Sequence, residues 1–232
     1  MAELKKFRFY GRRYGRPLKP ARQKILSRLL PQMSLALDGP IENYQAVFQD
    51  SPRQVWLEIG FGAGEHLASL VNENPDIGFI GCEPFINGVA SLLAKVGTMT
   101  PLSWPNNLKI FPDDARLLLR LLPPATLDRI YAMFPDPWPK TRHHKRRLIG
   151  FETLDEFARL IRPGGEFKMA SDHMDYIRWT LWHFQQHPAF EWQVEGPMDW
   201  RERYPDSGQT RYETKAISQG DSCVYLTFRR LV

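Results

Sequence analysis

Segment 134–147, with the sequence FPDPWPKTRHHKRR, places one carboxylate directly ahead of a dense run of basic side chains. Proline fixes φ and disfavours helix in the residue before it, so the prolines flanking Asp136 predict a stiff loop that holds this acid in place. The basic residues are suited to a polyanion; they are Lys140, Arg142, Lys145, Arg146 and Arg147. A rigid acid beside this charge predicts an enzyme acting on a nucleic-acid base, with a solvated loop as the alternative.

A second informative segment is an apolar strand, 53–60, that runs into a glycine-rich turn and then a helix. The turn has the spacing E-x-G-x-G-x-G, formed by Glu58, Gly60, Gly62 and Gly64. Glycines permit a tight turn and let a ligand approach bare backbone. The spacing differs from the dinucleotide fingerprint G-x-G-x-x-G, so it disfavours a nicotinamide or flavin cofactor.

Acidic residues follow the next two predicted strands. Glu83 closes the second strand, where a carboxylate is able to accept hydrogen bonds from both ribose hydroxyls of an adenosine. Asp113 and Asp114 follow the third; we expect Asp113 to cap the next helix and Asp114 to accept from an adenine amino group. A glycine turn ringed by acids and without a phosphate-binding lysine favours a cationic nucleoside. S-adenosylmethionine, which carries a sulfonium and no phosphate, fits that description.

The first 28 residues form a basic arm in which Glu3 is the only acid. Aromatic residues are interleaved with the charges, among them Phe7, Phe9, Tyr10 and Tyr14. RNA-binding arms use this mixture, because charges meet phosphates and rings stack on unpaired bases. A solubilising tail is the alternative.

Strands and helices alternate along the rest of the chain. Strands are predicted at 53–60, 77–83, 108–111, 127–134, 165–171, 190–195 and 223–228, and helices at 19–32, 85–96, 114–122, 151–161 and 174–187, besides the helix that follows the glycine turn. We expect Pro31 to end the first helix, and Pro163 and Gly164 to close the one at 151–161. The alternation predicts an α/β fold: a doubly wound, mostly parallel Rossmann-like sheet with helices on both faces. Ligands of such sheets bind at the carboxyl ends of the strands. We divide the chain into a basic arm with a leading helix, 1–50, and a catalytic domain, 51–232.

Composition excludes several classes of protein. No segment approaches the roughly 20 apolar residues of a membrane span, and the first residues lack the apolar stretch of a signal peptide, so we expect a cytoplasmic protein. Cys82 and Cys223 lie far apart, which indicates neither a disulfide framework nor a thiolate metal site. His143 and His144 lack a third ligand at suitable spacing, so no metal is expected. The oligomeric state stays open between monomer and homodimer.

Taken together, these motifs resemble those of the bacterial tRNA (guanine-N7-)-methyltransferases, which are S-adenosylmethionine-dependent. The resemblance covers most of the chain, through GRRYGRP, EIGFGAG, FPDPWPKTRHHKRR and TRYETKA. The sequence departs from the family wording after Glu83, where Pro84 and Phe85 follow. The resemblance implies that tRNA is the partner and that nitrogen 7 of guanine 46, in the variable loop, receives the methyl group.

The resemblance also implies roles for individual residues. Cofactor contacts fall on Glu58, Glu83, Asp114 and Asp136, and RNA contacts on Arg142, Lys145, Arg146 and Arg147. Substrate contacts fall on Lys140, Asp172, Thr210, Arg211, Tyr212 and Glu213, the last four in an expected polar loop between the final strands. For Asp172, capping of the helix at 174–187 is the alternative role.

We assign the catalytic role to Asp136, which would hold the guanine edge and oppose the developing positive charge. Two other functions remain as alternatives. PDPW loosely resembles the D-P-P-Y/W loops of exocyclic amino-group methyltransferases, and the same fold could serve a non-catalytic RNA-binding protein.

Overall fold

The structure is a computed structural model that describes residues 10–35, 47–48, 50–205 and 207–232, so the aromatic and basic residues expected at 1–9 lie outside it. The helices are α1 (Pro20–Met33), α2 (Glu65–Glu73), α3 (Ile86–Val96), α4 (Ala115–Leu119), α5 (Phe151–Leu160), α6 (Met174–Gln186) and α7 (Arg211–Ser218). The strands are β1 (Gln54–Ile59), β2 (Ile77–Cys82), β3 (Thr98–Met99), β4 (Leu102–Ser103), β5 (Leu108–Phe111), β6 (Leu127–Met133), β7 (Ile161–Ser171), β8 (Phe190–Trp192) and β9 (Val224–Arg230). A 3-10 helix spans Thr141–Arg146.

The main sheet has seven strands in the order β5-β2-β1-β6-β7-β9-β8, and the predicted doubly wound, mostly parallel sheet is confirmed. The neighbours from β5 to β7 pair in parallel, whereas β9 runs antiparallel to both β7 and β8. Strand order reverses at β1, which lies between β2 and β6. The carboxyl ends of these three strands therefore open onto the crevice where such sheets bind ligands.

Both faces of the sheet are covered by apolar layers. Along β1, Val55, Leu57 and Ile59 join the buried cluster that includes residues of α4, α5 and α6. Trp56, which points to the other face because strand side chains alternate, joins the cluster that includes residues of α1, α2 and α3. Glu58 points to the same face as Trp56 near the end of β1, so its buried carboxylate borders the crevice.

Helix α1 continues past Pro31, which we expected to end it, and reaches Met33. Proline in a helix interior costs a backbone hydrogen bond and crowds the preceding turn. Burial compensates here, because Leu29 and Met33 are fully buried in the cluster that also contains Leu92 and Leu93 of α3. The leading helix therefore packs against α3, which belongs to the domain that we placed at 51–232.

Two further elements differ from the sequence-based expectation. Strand β7 begins at Ile161, so Pro163 and Gly164 lie inside it, where its pairing with β6 shifts register. Residues 211–218 form helix α7 and not a loop, because Thr210 and Glu213 make a reciprocal capping box. No helix in the described ranges is long and apolar enough to cross a membrane.

Candidate active site

A cleft of about 460 Å³ lies at the carboxyl ends of β1, β2 and β6. Its volume is in the range of small-ligand sites. Seven sequence segments meet there: the arm at 10–12, the glycine turn after β1, the end of β2, the start of α4, the loop after β6, residues 146–148 and the start of α7. The predicted site residues that line it are Glu58, Gly60, Gly62, Glu83, Asp114, Asp136, Arg146, Arg147, Thr210 and Tyr212.

The glycine turn is built from left-handed residues. Gly60, Gly62 and Gly64 have φ values of 72°, 57° and 76°, which side-chain-bearing residues rarely adopt. A Cβ on Gly60 would meet nothing within 4 Å, so this stretch of bare backbone faces open space in the cleft. Gly64 is followed at once by α2. At Gly60 the turn thus offers an uncovered main-chain surface against which a ligand would lie.

Glu83 supports the turn from the end of β2. Its two carboxylate oxygens accept hydrogen bonds from the amides of Gly62, at 2.7 Å, and Phe85, at 2.9 Å. Burial nevertheless raises the pKa of this carboxyl to about 7, because desolvation outweighs the two backbone hydrogen bonds and Asp136 and Glu58 lie nearby. A cationic ligand in the cleft would favour the ionised form.

Glu58 is paired with a residue that sequence reasoning did not single out. Its carboxylate lies 2.8 Å from Nδ1 of His66, and both side chains are buried at the edge of the cleft. His66 comes from the second residue of α2 and packs edge-on to Tyr131 of β6. No sequence signal marks this pair, because its members lie on opposite sides of the glycine turn.

The helix cap after β5 is Asp114, not Asp113 as we had expected. Asp114 is the N-cap of α4, accepting from the Arg116 amide at 3.0 Å, and its carboxylate also binds the Arg116 guanidinium at 2.5 Å. Asp113 instead forms an ion pair with Arg13, with 2.5 Å between Oδ1 and Nη2. Asp114 still lines the cleft, so an adenine contact from it would be made by a carboxylate that already holds Arg116.

Asp136 lies at the exposed tip of the loop after β6 and lines the cleft. The loop bends sharply on either side of it, because Phe134 and Trp138 have φ values of 52° and 44°. A left-handed conformation costs a residue with a side chain about 1–2 kcal/mol, so the surroundings must hold the loop in this shape. No donor in the described residues reaches the Asp136 carboxylate. The surrounding protein partly desolvates the carboxyl group and thereby raises the pKa of Asp136.

The basic stretch after this loop divides into exposed and enclosed residues. Arg142 and Lys145 are exposed on the 3-10 helix. The Arg146 guanidinium lies between two rings, 4.4 Å from the Tyr10 centroid and 4.9 Å from that of Trp138. The side chain of Arg147 is fully buried, which differs from the phosphate contact expected for it.

Helix α7 covers the glycine turn from the opposite side. Tyr212 is exposed and lines the cleft, and its ring would lie 3.6 Å from a Cβ on Gly62. Arg211 pairs with Glu65 of α2, with 3.0 Å between Nε and Oε1. Glu213 is buried and accepts hydrogen bonds from Arg203 and Tyr225, both at 2.6 Å, so its carboxylate is occupied in anchoring the helix.

Besides Arg211 and Glu213, the predicted substrate residues Lys140 and Asp172 lie outside the lining of the cleft in the described chain. Lys140 is exposed at the start of the 3-10 helix, and Asp172 is exposed after β7. Asp172 is not the cap of α6, because His173 fills that position and its side chain accepts from the Tyr176 amide. Lys140 follows the proline loop that lines the cleft, and Asp172 follows β7, which pairs with β6 in the sheet.

The arm contributes lining residues for which we had expected only RNA contacts. Tyr10 and Arg12 line the cleft. The arm is attached to α3 by hydrogen bonds from the Ile86 amide to the Arg13 carbonyl and between Asn87 and the backbone of residues 15 and 16. Sequence composition indicated a basic arm, but only the folded chain shows that residues 10–12 of this arm line the cleft. No cluster of metal-ligating side chains is found within the described ranges.

The fold and the family comparison agree on the class of protein. A family described as "Putative methyltransferase" matches residues 52–226. The solved structure of the 16S rRNA methyltransferase KamB superposes with a TM-score of 0.58 at 15% identity, covering 84% of this chain and 95% of that one. An antibiotic-related methyltransferase superposes with a TM-score of 0.53 at 12% identity, covering 83% and 96%. The protein is a methyltransferase with the doubly wound fold of the S-adenosylmethionine-dependent enzymes.

Full-length relatives identify the family within this class. A protein of Rhodospirillum rubrum named tRNA (guanine-N(7)-)-methyltransferase is 46% identical over 96% of this chain and 88% of its own length. Proteins of the same name from Brucella anthropi and Paramagnetospirillum magneticum are 44% and 46% identical over 96% of this chain and 94% and 92% of theirs. The chain belongs to the tRNA (guanine-N(7)-)-methyltransferase family, and the resemblance drawn from its motifs is confirmed.

Proposed function

We propose that this protein methylates nitrogen 7 of a guanine in tRNA, at guanine 46 of the variable loop. The observation that carries the proposal is that one cleft joins the glycine turn with its acids to the proline loop of Asp136, and that this loop leads directly into the basic 3-10 helix. A nucleoside cofactor and a polyanionic substrate would therefore meet at Asp136. Relatives that bear this activity in their names share 44–46% of their residues with the chain.

The cleft fits S-adenosylmethionine in its chemistry. The bare backbone at Gly60 leaves room for a ligand, and the carboxylates of Glu58, Glu83 and Asp136 suit a cation. When bound, this cofactor supplies an electrophilic methyl group on a sulfonium sulfur, and its transfer to nitrogen 7 leaves S-adenosylhomocysteine and a positively charged 7-methylguanine without removal of a proton. We assign cofactor contacts to the glycine turn and to Glu58, Glu83, Asp114 and Asp136.

Asp136 acts by position and charge, and no general base is needed. Nitrogen 7 of guanine already presents a lone pair, so the protein must orient the base and oppose positive charge as it develops there. Orientation alone supplies up to about 7–11 kcal/mol of barrier reduction in well-aligned reactions. The rigid loop holds the Asp136 carboxylate at the rim of the cleft, where no donor from the described residues reaches it and it is available to the guanine edge. We assign contacts with the same nucleotide to Lys140 and Asp172, which are both exposed.

The RNA contacts are assigned to the exposed part of the basic block and to the start of α7. Arg142 and Lys145 face solvent, and Arg146 is held in a stack with two rings. Thr210, Arg211 and Tyr212 face the cleft or its edge, while Glu213 fixes the helix that carries them.

The experiment that tests the proposal is transfer of labelled methyl from S-adenosylmethionine to total bacterial tRNA, followed by nucleoside mapping of the product. We expect the label in 7-methylguanosine, and a tRNA transcript with guanine 46 replaced by adenine should accept none. Label in an exocyclic amino group would move the chemistry to the alternative enzyme class. A protein that binds tRNA without transferring label would be a binding protein on this fold.

A further inference from the structure

We propose that Arg147 is a positioning residue that holds the Asp136 loop in its working shape, and that it does not contact RNA. The inference rests on the proposed methyl transfer, since it concerns the loop to which the catalytic role is assigned. Arg147 is the last of the basic residues in segment 134–147 and differs from the others in its surroundings. Its side chain has no exposed surface, whereas Arg142 and Lys145 in the same segment are exposed.

The guanidinium of Arg147 bridges the proline loop and helix α6. Its Nε donates to the carbonyl oxygen of Pro137, at 2.8 Å, in the residue directly after Asp136. Its Nη2 donates to the Asp175 carboxylate on the first turn of α6, at 2.6 Å. One planar group thus ties the backbone beside Asp136 to a helix of the main fold.

Aromatic rings of α6 hold the guanidinium in this orientation. Its central carbon lies 5.1 Å from the Tyr176 ring centroid and 4.9 Å from that of Trp179. These distances are within the range of cation–π attraction, which is stronger for groups withdrawn from water. Lysine lacks the planar fork that stacks and bonds in two directions at once, so it is a poor substitute at this position.

Tyr176 and Trp179 also hydrogen-bond to residues 148–149, which directly follow Arg147. The Tyr176 hydroxyl accepts from the amides of Leu148, at 3.1 Å, and Ile149, at 3.4 Å. Trp179 donates from Nε1 to the Ile149 carbonyl at 2.8 Å. Helix α6 therefore holds the segment directly at residues 148–149 and, through Arg147, at Pro137.

This fastening is needed because the loop is strained next to Asp136. Phe134 and Trp138 both have left-handed backbones, and prolines restrict the residues between them. The Arg147 contact falls within that strained stretch. The ion pair of Arg147 with Asp175 adds little stability on its own, because the Asp175 carboxylate is exposed to solvent. Nη1 of Arg147 is buried without an acceptor among the described residues, so positioning of the loop explains better than stability why a charged group is buried there.

Five variants test the inference: Arg147→Lys, Arg147→Gln, Asp175→Asn, Asp175→Glu and the control Arg178→Lys, an exposed arginine on the same helix. For each we would measure kcat and KM with tRNA, the salt dependence of tRNA binding, cofactor affinity and thermal unfolding. We expect kcat at saturating substrates to fall at least 10-fold in Arg147→Lys and several-fold in Asp175→Asn, since a displacement of about 1 Å at a reacting centre is worth up to 100-fold. Asp175→Glu should recover part of the loss, and Arg178→Lys should match wild type.

The salt dependence separates positioning from phosphate binding. Loss of one phosphate contact reduces the slope of log affinity against log salt by about 0.7–0.9. Lysine keeps the charge, so the slope is compared in Arg147→Gln, which removes it. We expect Arg147→Gln to leave the slope and the cofactor affinity unchanged while kcat falls. An unchanged kcat in folded Arg147→Lys, or a reduced slope with normal kcat, would overturn the inference. Asp175 is exposed, so its variants keep the test valid where Arg147→Lys fails to fold. Absence of 7-methylguanosine with the wild-type protein would instead reject the proposed function.

Discussion

The Glu83 carboxylate accepts a hydrogen bond of 2.7 Å from the Gly62 amide, so the acid at the end of β2 holds the turn at the end of β1. The same carboxyl is expected to bind the cofactor ribose. The pKa of this carboxyl is about 7, because desolvation on burial raises it more than the two backbone hydrogen bonds lower it. One side chain therefore links the shape of the glycine turn to the protonation state of the cleft.

This linkage predicts a pH dependence of stability in the cofactor-free protein. Between about pH 4.5 and 7 the folded protein retains the Glu83 proton that the unfolded chain has released, so the free energy of unfolding falls as pH rises through this window. The raised pKa corresponds to at most about 3 kcal/mol. We expect Glu83→Gln to remove this decline. Urea unfolding of both proteins from pH 5 to 8 measures it, and parallel curves would contradict the prediction.

Replacement of Asp136 should affect turnover more than binding. Asp136→Asn keeps the shape of the side chain but removes the charge that opposes positive charge on the methylated base. We expect kcat to fall by 100-fold or more, on the order seen when one electrostatic group is removed from an active site, with KM for tRNA changed less than threefold. Single-turnover kinetics at saturating tRNA and cofactor is the measurement. Near-normal turnover would withdraw the catalytic role from this residue.

Exposed basic residues of the 3-10 helix should contribute to tRNA affinity through phosphates. Lys145→Ala removes an exposed charge, so binding should weaken and the salt slope should decrease in magnitude by about 0.7–0.9. Arg178→Ala, an exposed charge on α6, serves as the control. Filter binding across a salt series distinguishes the two, and an identical slope in wild type and Lys145→Ala would make the block a solvated surface.

Much of the fold and part of the site follow from sequence patterns alone. Apolar runs bounded by turn residues predicted the strands of the main sheet, and the acids at 58, 83, 114 and 136 fall at the cleft because parallel strands present their carboxyl ends to one edge. Burial of Arg147 had no such signal, because a run of basic residues does not reveal which member packs against a distant helix. His66 and Tyr10 were missed as lining residues because their positions at the cleft depend on tertiary packing, which no local sequence pattern indicates.

Helix α7 is different, because its signal was present in the sequence. Thr210 and Glu213 have the T-x-x-E spacing of a capping box, which the structure shows in full. The family resemblance indicated substrate contacts for residues 210–213, and we expected a polar loop there although the capping-box spacing favours the start of a helix. The two descriptions agree once the capped helix is recognised as the element that presents Tyr212 to the glycine turn.

The capping box predicts a measurable effect on stability. Thr210→Ala removes the acceptor of the Glu213 amide, so we expect a loss of about 1 kcal/mol in the free energy of unfolding, whereas Thr210→Ser should retain most of it. Because α7 carries Tyr212, to which we assign a substrate contact, tRNA binding should weaken in Thr210→Ala as well. Urea unfolding and calorimetry give the two quantities. Equal stability of the alanine and serine variants would show that the cap contributes nothing.

Close contact between α3 and the glycine turn makes Gly88 a sharp test of how rigid the cofactor site must be. A Cβ on Gly88 would lie 2.2 Å from the Gly62 carbonyl oxygen and 3.3 Å from the Glu83 side chain, so Gly88→Ala must displace the turn or the helix. Alanine is the better helix former by roughly 1 kcal/mol, which means that propensity alone would make the variant more stable.

We expect the steric effect to dominate in Gly88→Ala, with cofactor affinity reduced at least 10-fold and the protein still folded. Gly150→Ala is the matched control, because its backbone is extended and a Cβ there meets nothing within 4 Å. Calorimetric titration of both variants with S-adenosylmethionine decides the matter. Wild-type affinity in Gly88→Ala would mean that the turn can shift without loss of cofactor binding. The hydrogen bonds that Glu83 accepts from Gly62 and Phe85 would then not be what fixes the cofactor surface.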